Sequence, residues 1–282
     1  VSNRLPIVLK WNEGRWVVKP GSGGLVTALA PVLSRNGGIW MGWPGTYEDE
    51  DVQDPLREFS EEQGYWLHPV PLDYEDVQGY YYGFSNEILW PLLHGFHTRC
   101  NFDPAYWDKY KKVNRVFARN LLEATAEDDY IWVHDYHLMC VAQELKQFGG
   151  QRRIGFFLHI PFPGPETFLR LPWRRQILSA LLDFELVGFQ THEDMDNFVA
   201  CLKSLCAEFH RENSDSLITV TCGAKTVKAG CFPISIDFDE FSDQAATKEV
   251  SKRTAKLNLL HPDQQIILGV DRLDYTKGIP ER

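Results

Sequence analysis

Residues Arg153 to Pro165 constrain the fold more than any other stretch. Arg153-Ile154-Gly155-Phe156-Phe157-Leu158-His159-Ile160 opens as a short apolar run of the kind that makes a fully buried strand, and Pro161, Pro163 and Pro165 follow within five residues. Proline neither donates to a sheet ladder nor continues a helix, so after Leu158 the chain has to leave the sheet and hold a stiff exposed loop. His159 is thereby presented just past a strand's carboxyl end. In open α/β sheets that is where ligands bind.

The pattern recurs along the chain. Tyr130-Ile131-Trp132-Val133 reads as a second buried strand, delivering His134-Asp135-Tyr136-His137, and Leu186-Val187-Gly188-Phe189 as a third. Between them lie helical periodicities: Pro104 to Ala126 with Tyr106, Tyr110, Val113, Val116, Phe117 and Leu121 inward, then Leu138–Phe148 stopped by Gly149-Gly150, Pro172–Leu182, and Glu193–His210. Thr219–Val227 and Ala229–Pro233 read as paired strands, and Asp54–Gln63 as a solvated helix in the acidic stretch that starts at Glu48. Strands alternating with helices at this pitch predict an α/β fold with a doubly wound, mostly parallel sheet.

Residues 1–10 read as a buried strand ending at Ser2-Asn3-Arg4, which puts a cation at a strand tip, and the starting Val predicts a native start further upstream. Near the other end, Gln265–Val270 reads as a new buried strand leading into Asp271-Arg272-Leu273-Asp274-Tyr275-Thr276-Lys277-Gly278. The polar, Lys-rich residues before it predict a division into a domain over 1–245, a linker or helix over 246–264, and the start of a second domain over 265–282.

Composition narrows the function. A net charge of −10 argues against a nucleic-acid backbone, which needs clustered cations, but leaves room for a small anion held by local arginines. No run of eighteen apolar residues and no secretory leader is written in the sequence, so a membrane partner is not expected. Six cysteines without CxxC pairs or dense spacing read as reduced thiols and point to the cytoplasm.

Several side chains stand out. Gly21-Ser22-Gly23-Gly24 opens a helix at Leu25, either as a phosphate cradle or as a plain flexible turn. Trp40 reads as core and Trp43 as part of a turn. Tyr80-Tyr81-Tyr82 and Trp90, beside a helix start at Ser85, suit sugar faces or an aromatic core. Asp135 is placed to accept a sugar hydroxyl, whereas His134 and His137 lack the further ligands a metal would need. Arg272 and Lys277, five apart after a strand tip, can straddle a diphosphate.

Seven motifs, taken together and in order, resemble the trehalose-6-phosphate synthase family: Ser2-Asn3-Arg4, Gly23-Gly24-Leu25, Phe84-Ser85-Asn86 with Leu89-Trp90-Pro91, Trp132 to Leu138, Gly155 to Pro163, Gly188-Phe189-Gln190-Thr191, and Val270 to Gly278. The resemblance implies a GT-B fold of two Rossmann-like domains and transfer of glucose from UDP-glucose to glucose 6-phosphate with retention, without metal or cofactor. It assigns Arg4, Tyr81, Trp90 and Asp135 to the acceptor, and Gly23, Gly24, His159, Arg272 and Lys277 to the donor. His159, Arg272 and Lys277 are the catalytic candidates among these. A homo-oligomer or a complex with a trehalose-phosphate phosphatase goes with the same resemblance. Family members continue for roughly another domain past the position of Arg282. The resemblance therefore predicts an acceptor-side fragment with its second domain truncated, inactive alone. The competing readings are a sugar-phosphate-sensing regulatory subunit of the same fold, and a synthase acting on a polyol phosphate.

Overall fold

The computed structural model describes residues 1–47, 51–214 and 216–282, so Glu48, Asp49 and Glu50 of the acidic stretch lie outside the described residues. Those described form two compact units, Val1–Pro233 and Ile234–Arg282.

The first unit begins with a hairpin of β1 (Ile7–Asn12) and β2 (Arg15–Pro20). Its two turn residues, Glu13 and Gly14, both take positive φ, the geometry that matches the twist of tight hairpins. After the helix Gly24–Asn36 comes β3 (Ile39–Gly42), then the helix Gln53–Gln63, then β4 (Trp66–Pro69) parallel to β3. β4 is not evident from sequence because it is short and ends in a proline.

A continuous helical stretch follows: Tyr74–Val77, a π-helix over Gln78–Leu89, and Trp90–Leu93. The helix start expected at Ser85 is not there. The true start is Asp73, whose carboxylate accepts the Asp76 N–H at 2.6 Å, and Ser85 lies fully buried in mid-helix. Gly83 explains the close packing, since a Cβ there would come within 2.6 Å of the Tyr106 ring. Tyr106 belongs to the helix Pro104–Ala124, capped by Asp103 and burying Trp107, Tyr110, Val113, Phe117 and Leu121 on one face.

The main sheet contains β5 (Tyr130–His134), β6 (Arg153–Phe157), β7 (Leu186–Phe189), β8 (Phe209–Ser214), β9 (Leu217–Cys222) and β10 (Lys225–Cys231), in the order β5-β6-β7-β10-β9-β8. The first four in that order run parallel and the last two pairings are antiparallel. Three boundaries differ from expectation. The helix at His192 ends at Leu205, so His210 falls in β8; the chain turns at Gly223 (φ 59); and the expected strand over 219–227 is therefore split between β9 and β10.

Residues 1–5 join the β3–β4 pair to the main sheet. Ser2 N–H donates to Met41 O at 3.0 Å, Trp43 N–H to Asn3 O at 3.0 Å and Leu5 N–H to Trp43 O at 2.9 Å. On the other side His134 N–H donates to Val1 O at 2.8 Å and Val1 N to Trp132 O at 2.7 Å. The extended segment thus lies between β3 and β5, and Arg4 emerges at its carboxyl end.

The expectation of six reduced cysteines is corrected. Cys206 and Cys222 are joined, with Cα atoms 5.6 Å apart, because the β8/β9 register sets Phe209 opposite Cys222. Cys100, Cys140, Cys201 and Cys231 are free.

The second unit holds the helices Phe238–Ala245 and Lys248–Leu260 and a short turn at Tyr275–Lys277. The buried strand expected over Gln265–Val270 does not form. Its apolar side chains are exposed, Ile267 at 94% and Leu268 at 83%, and no strand of the unit lies beside it to complete a ladder. Among the described residues no helix is long and apolar enough to cross a membrane.

Candidate active site

Three polar groups emerge at carboxyl ends in the first unit: Arg4 after the joining segment, Asp135 after β5 and His159 after β6. Asp135 takes φ 75 and ψ 166, a backbone conformation that costs a non-glycine residue about 1–3 kcal/mol. The strain is held from both sides. Its N–H donates to Phe157 O at 2.8 Å, and its carbonyl accepts the Leu138 N–H at 3.2 Å. The carboxylate accepts the His159 N–H at 3.4 Å. Burial raises its pKa to about 6, against the pull of the backbone N–H groups of Tyr136 and His159.

His159 stands in a proline loop that is stiff for visible reasons. Phe162 N–H donates to the buried Asp194 carboxylate at 2.8 Å, and Asn197 donates to Phe162 O at 2.9 Å. Phe162 itself packs on Phe168, Phe189 and Phe198. Asp194 and Thr191 form a reciprocal cap at the next helix start, a Thr-x-x-Asp spacing that sequence reading passed over. The His159 ring is half-buried, with its pKa lowered to about 4 by desolvation. Its Nε2 lies 3.0 Å from His134 Nδ1.

A chain of aromatic rings connects the remaining candidates. The Arg4 guanidinium sits 4.9 Å from the Trp43 ring centre, and Trp43 lies 6.4 Å from Tyr81. Tyr81 stacks on His137 at 5.7 Å and 15°, His137 packs on Tyr136 at 3.9 Å, and Tyr136 is 5.8 Å from Trp90. Tyr136 Oη donates to Asn86 at 3.1 Å. Arg4, Tyr81 and Trp90 are thus connected ring by ring to the neighbour of Asp135. Trp43, expected in a turn, is instead buried with its indole N–H on Thr46 O. A tryptophan directly after a strand and before Pro44-Gly45 was the available signal.

Gly23 caps the helix Gly24–Asn36 with φ 129 and open space around its Cα. This turn is tied to the Arg4 segment, since Gly21 N–H donates to Pro6 O at 2.8 Å. Arg272 and Lys277 lie in the second unit, flanking Asp274, whose carboxylate accepts the Thr276 N–H at 2.9 Å. Among the described residues no cluster of three or more His, Cys, Asp or Glu is placed to hold a metal ion.

Residues 1–282, the whole chain, match the model of glycosyltransferase family 20. The chain belongs to that family. Among its relatives in glycosyltransferase family 20, the trehalose-6-phosphate synthase of Mycolicibacterium vanbaalenii is 42% identical over 288 residues, covering 100% of this chain and 59% of the relative. That of Mycolicibacterium gilvum is 41% identical, with 57% of its length covered. The chain therefore spans under three-fifths of the length of these relatives.

Solved structures agree. The OtsA apo structure superposes with a TM-score of 0.80 at 35% identity, over 99% of this chain and 58% of the other. An α,α-trehalose-phosphate synthase (UDP-forming) from Burkholderia xenovorans in complex with glucose-6-phosphate gives 0.80 at 32% identity, over 98% and 58%. An E. coli protein bound with UDP-2-fluoro glucose gives 0.79 at 36%, over 93% and 57%. The α/β, parallel-rich, Rossmann-like architecture expected from the sequence is borne out.

Proposed function

We propose that this chain carries the acceptor side of a retaining glucosyltransferase that moves glucose from UDP-glucose to glucose 6-phosphate, giving α,α-trehalose 6-phosphate and UDP. The observation that carries the reading is the ring-to-ring path from Arg4 through Trp43, Tyr81, His137 and Tyr136, the neighbour of Asp135, to Trp90. One guanidinium suits a phosphate, aromatic faces suit the C–H patches of a sugar, and a carboxylate suits a hydroxyl. The similar Burkholderia xenovorans structure with glucose-6-phosphate and the similar E. coli structure with UDP-2-fluoro glucose support both substrates.

In this mechanism Arg4 holds the acceptor phosphate and Asp135 a hydroxyl, while Tyr81 and Trp90 frame the ring. His159 positions the donor glucose, and the backbone at Gly23 and Gly24 approaches the diphosphate. Arg272 and Lys277 are put forward as the cations that stabilise the departing diphosphate as charge develops. As the bond between the glucose anomeric carbon and the diphosphate oxygen breaks, the acceptor hydroxyl attacks that carbon from the same face and passes its proton to the departing diphosphate oxygen. A cytoplasmic location goes with these substrates. The Cys206–Cys222 link is the feature that pulls the other way, and thiol alkylation of protein taken directly from cells decides between them.

The test uses the full-length product of the gene that encodes this chain. UDP should be released only when UDP-glucose and glucose 6-phosphate are both present, and Arg4→Ala should raise KM for the phosphate sugar more than for UDP-glucose. Hydrolysis of the donor at the same rate without acceptor overturns the reading. Calorimetric binding of glucose 6-phosphate with no turnover would favour a regulatory subunit instead.

A further inference from the structure

We propose that His94 is a positioning residue of the acceptor site: hydrogen-bonded to the carbonyl of Trp90, its imidazole is laid against the Trp90 indole and holds that ring in one orientation. The proposal rests on the reading of Trp90 as a residue that frames the acceptor sugar.

The two residues are four apart on one helical stretch, so their side chains share a face and the later one leans back over the earlier. The rings stand 4.1 Å apart, centre to centre, at a tilt of 43°. His94 Nδ1 lies 2.8 Å from Trp90 O. The direction of that bond is fixed by chemistry, because a carbonyl oxygen carries no proton and only accepts. Nδ1 therefore donates, in the neutral ring and the charged one alike.

A histidine at a helix end commonly serves to cap spare carbonyls. That need is already met by the main chain here. Gly95, with φ 83, ends the helix Trp90–Leu93, and the N–H groups of His94, Phe96 and Gly95 donate to Trp90 O at 3.2 Å, Pro91 O at 2.8 Å and Leu92 O at 3.0 Å. The imidazole is a second donor to an oxygen that already has one. What it adds is the ring on the indole.

The indole also meets the Tyr136 ring at 5.8 Å. Tyr136 is itself anchored, its Oη on Asn86 and its carbonyl accepting the Tyr110 hydroxyl at 2.8 Å. A rotamer change at Trp90 breaks the contact with one of these rings or with both. Trp90 is nonetheless half-buried, so a locked indole still has surface to offer a sugar.

The experiment labels the full-length protein with 5-fluorotryptophan and assigns the Trp90 line by difference from Trp90→Phe. Wild type should give one sharp 19F line that shifts on adding glucose 6-phosphate. In His94→Ala the line should broaden or split, with KM for glucose 6-phosphate up roughly two- to tenfold and KM for UDP-glucose little changed. His94→Phe keeps a ring without the N–H, and His94→Asn keeps an N–H near the place of Nδ1 without the ring, so each should recover part of the loss and either carries the test if His94→Ala does not fold. A sharp, unmoved Trp90 line in these variants overturns the proposal, as does a loss of thermal stability with both KM values unchanged, the result a merely structural histidine would give. So does a bare Nδ1 on wild-type His94, read from 15N-labelled histidine by difference from His94→Phe. Should glucose 6-phosphate leave the wild-type line in place while His94→Ala broadens it, the acceptor reading of Trp90 fails and the ring lock alone stands.

Discussion

The Arg4 guanidinium lies over the indole of Trp43, 4.9 Å from its ring centre, and Trp43 in turn is pinned by its own N–H to Thr46 O at 2.6 Å. A cation on a solvent-exposed side chain is thus given a fixed address by a buried ring. Such contacts contribute about 0.5–1 kcal/mol at exposed sites. Trp43→Phe, which keeps a ring face, should raise the glucose 6-phosphate KM a few-fold. Trp43→Leu should raise it further and also lower stability by roughly 2–4 kcal/mol for lost burial. Steady-state kinetics and urea melts measure the two effects separately.

Gly45 guards the same cation. Its φ is 92, and a Cβ there would run into the Arg4 guanidinium. Gly45→Ala should therefore cost about 1–3 kcal/mol in backbone strain and displace Arg4 as well. Gly14→Ala is the control, because Gly14 also has positive φ but open space where the Cβ would go. Both variants should lose stability in denaturant melts, and only Gly45→Ala should weaken the acceptor.

Asp135 is kept at a cost. Its folded pKa of about 6 lies above the ordinary carboxylate value, so its favourable contribution is present below about pH 4 and lost as pH rises through 6. At neutral pH the ionised group destabilises the fold by about 2 kcal/mol, allowing for its partial exposure. Asp135→Asn should recover much of that in urea melts at pH 7 while lowering turnover. An unchanged melt would mean the carboxylate is better solvated than its surroundings imply.

The buried histidines act in the opposite sense. Burial lowers His134, His137 and His159 to about 2, 3 and 4, so their contribution is complete above pH 6.5 and is lost as pH falls from there toward those values. Each ring removes up to about 1.4 kcal/mol per pH unit in that window, and Asp135 offsets only one of them. Thermal melts should fall steeply between pH 6 and 5. Among the described residues His137 has no hydrogen-bond partner for either ring nitrogen, so His137→Phe should flatten that slope and keep the stack on Tyr81.

How much of this was written in the sequence depends on what each element is buried against. β5, β6 and β7 were legible because strands covered on both faces spell apolar runs, and the helix Pro104–Ala124 because one buried face repeats at helical spacing. β8, Phe-His-Arg-Glu-Asn-Ser, is almost wholly exposed and owes its existence to its ladder with β9, which no local pattern announces. The run 265–270 shows the converse, since apolar residues alone do not make a strand without a neighbour. In the site, Arg4, Asp135 and His159 were visible as polar residues ending apolar runs. Trp43 was read only as a turn residue, His134 only as a metal candidate and Asp194 not at all, because the contacts that define them reach partners distant in sequence.

The segment Val1–Leu5 bridges β3 and β5, and its bond to Trp132 spans 131 positions of sequence. During synthesis from the amino end, these residues can pair with β3 early but have to wait for β5 before their second edge is covered. Contacts so far apart in the chain are slow to form and leave unpaired strand edges exposed meanwhile. Arg4 rides on this segment, so it precedes β5 by more than a hundred residues of synthesis and reaches its final place only once that strand has formed.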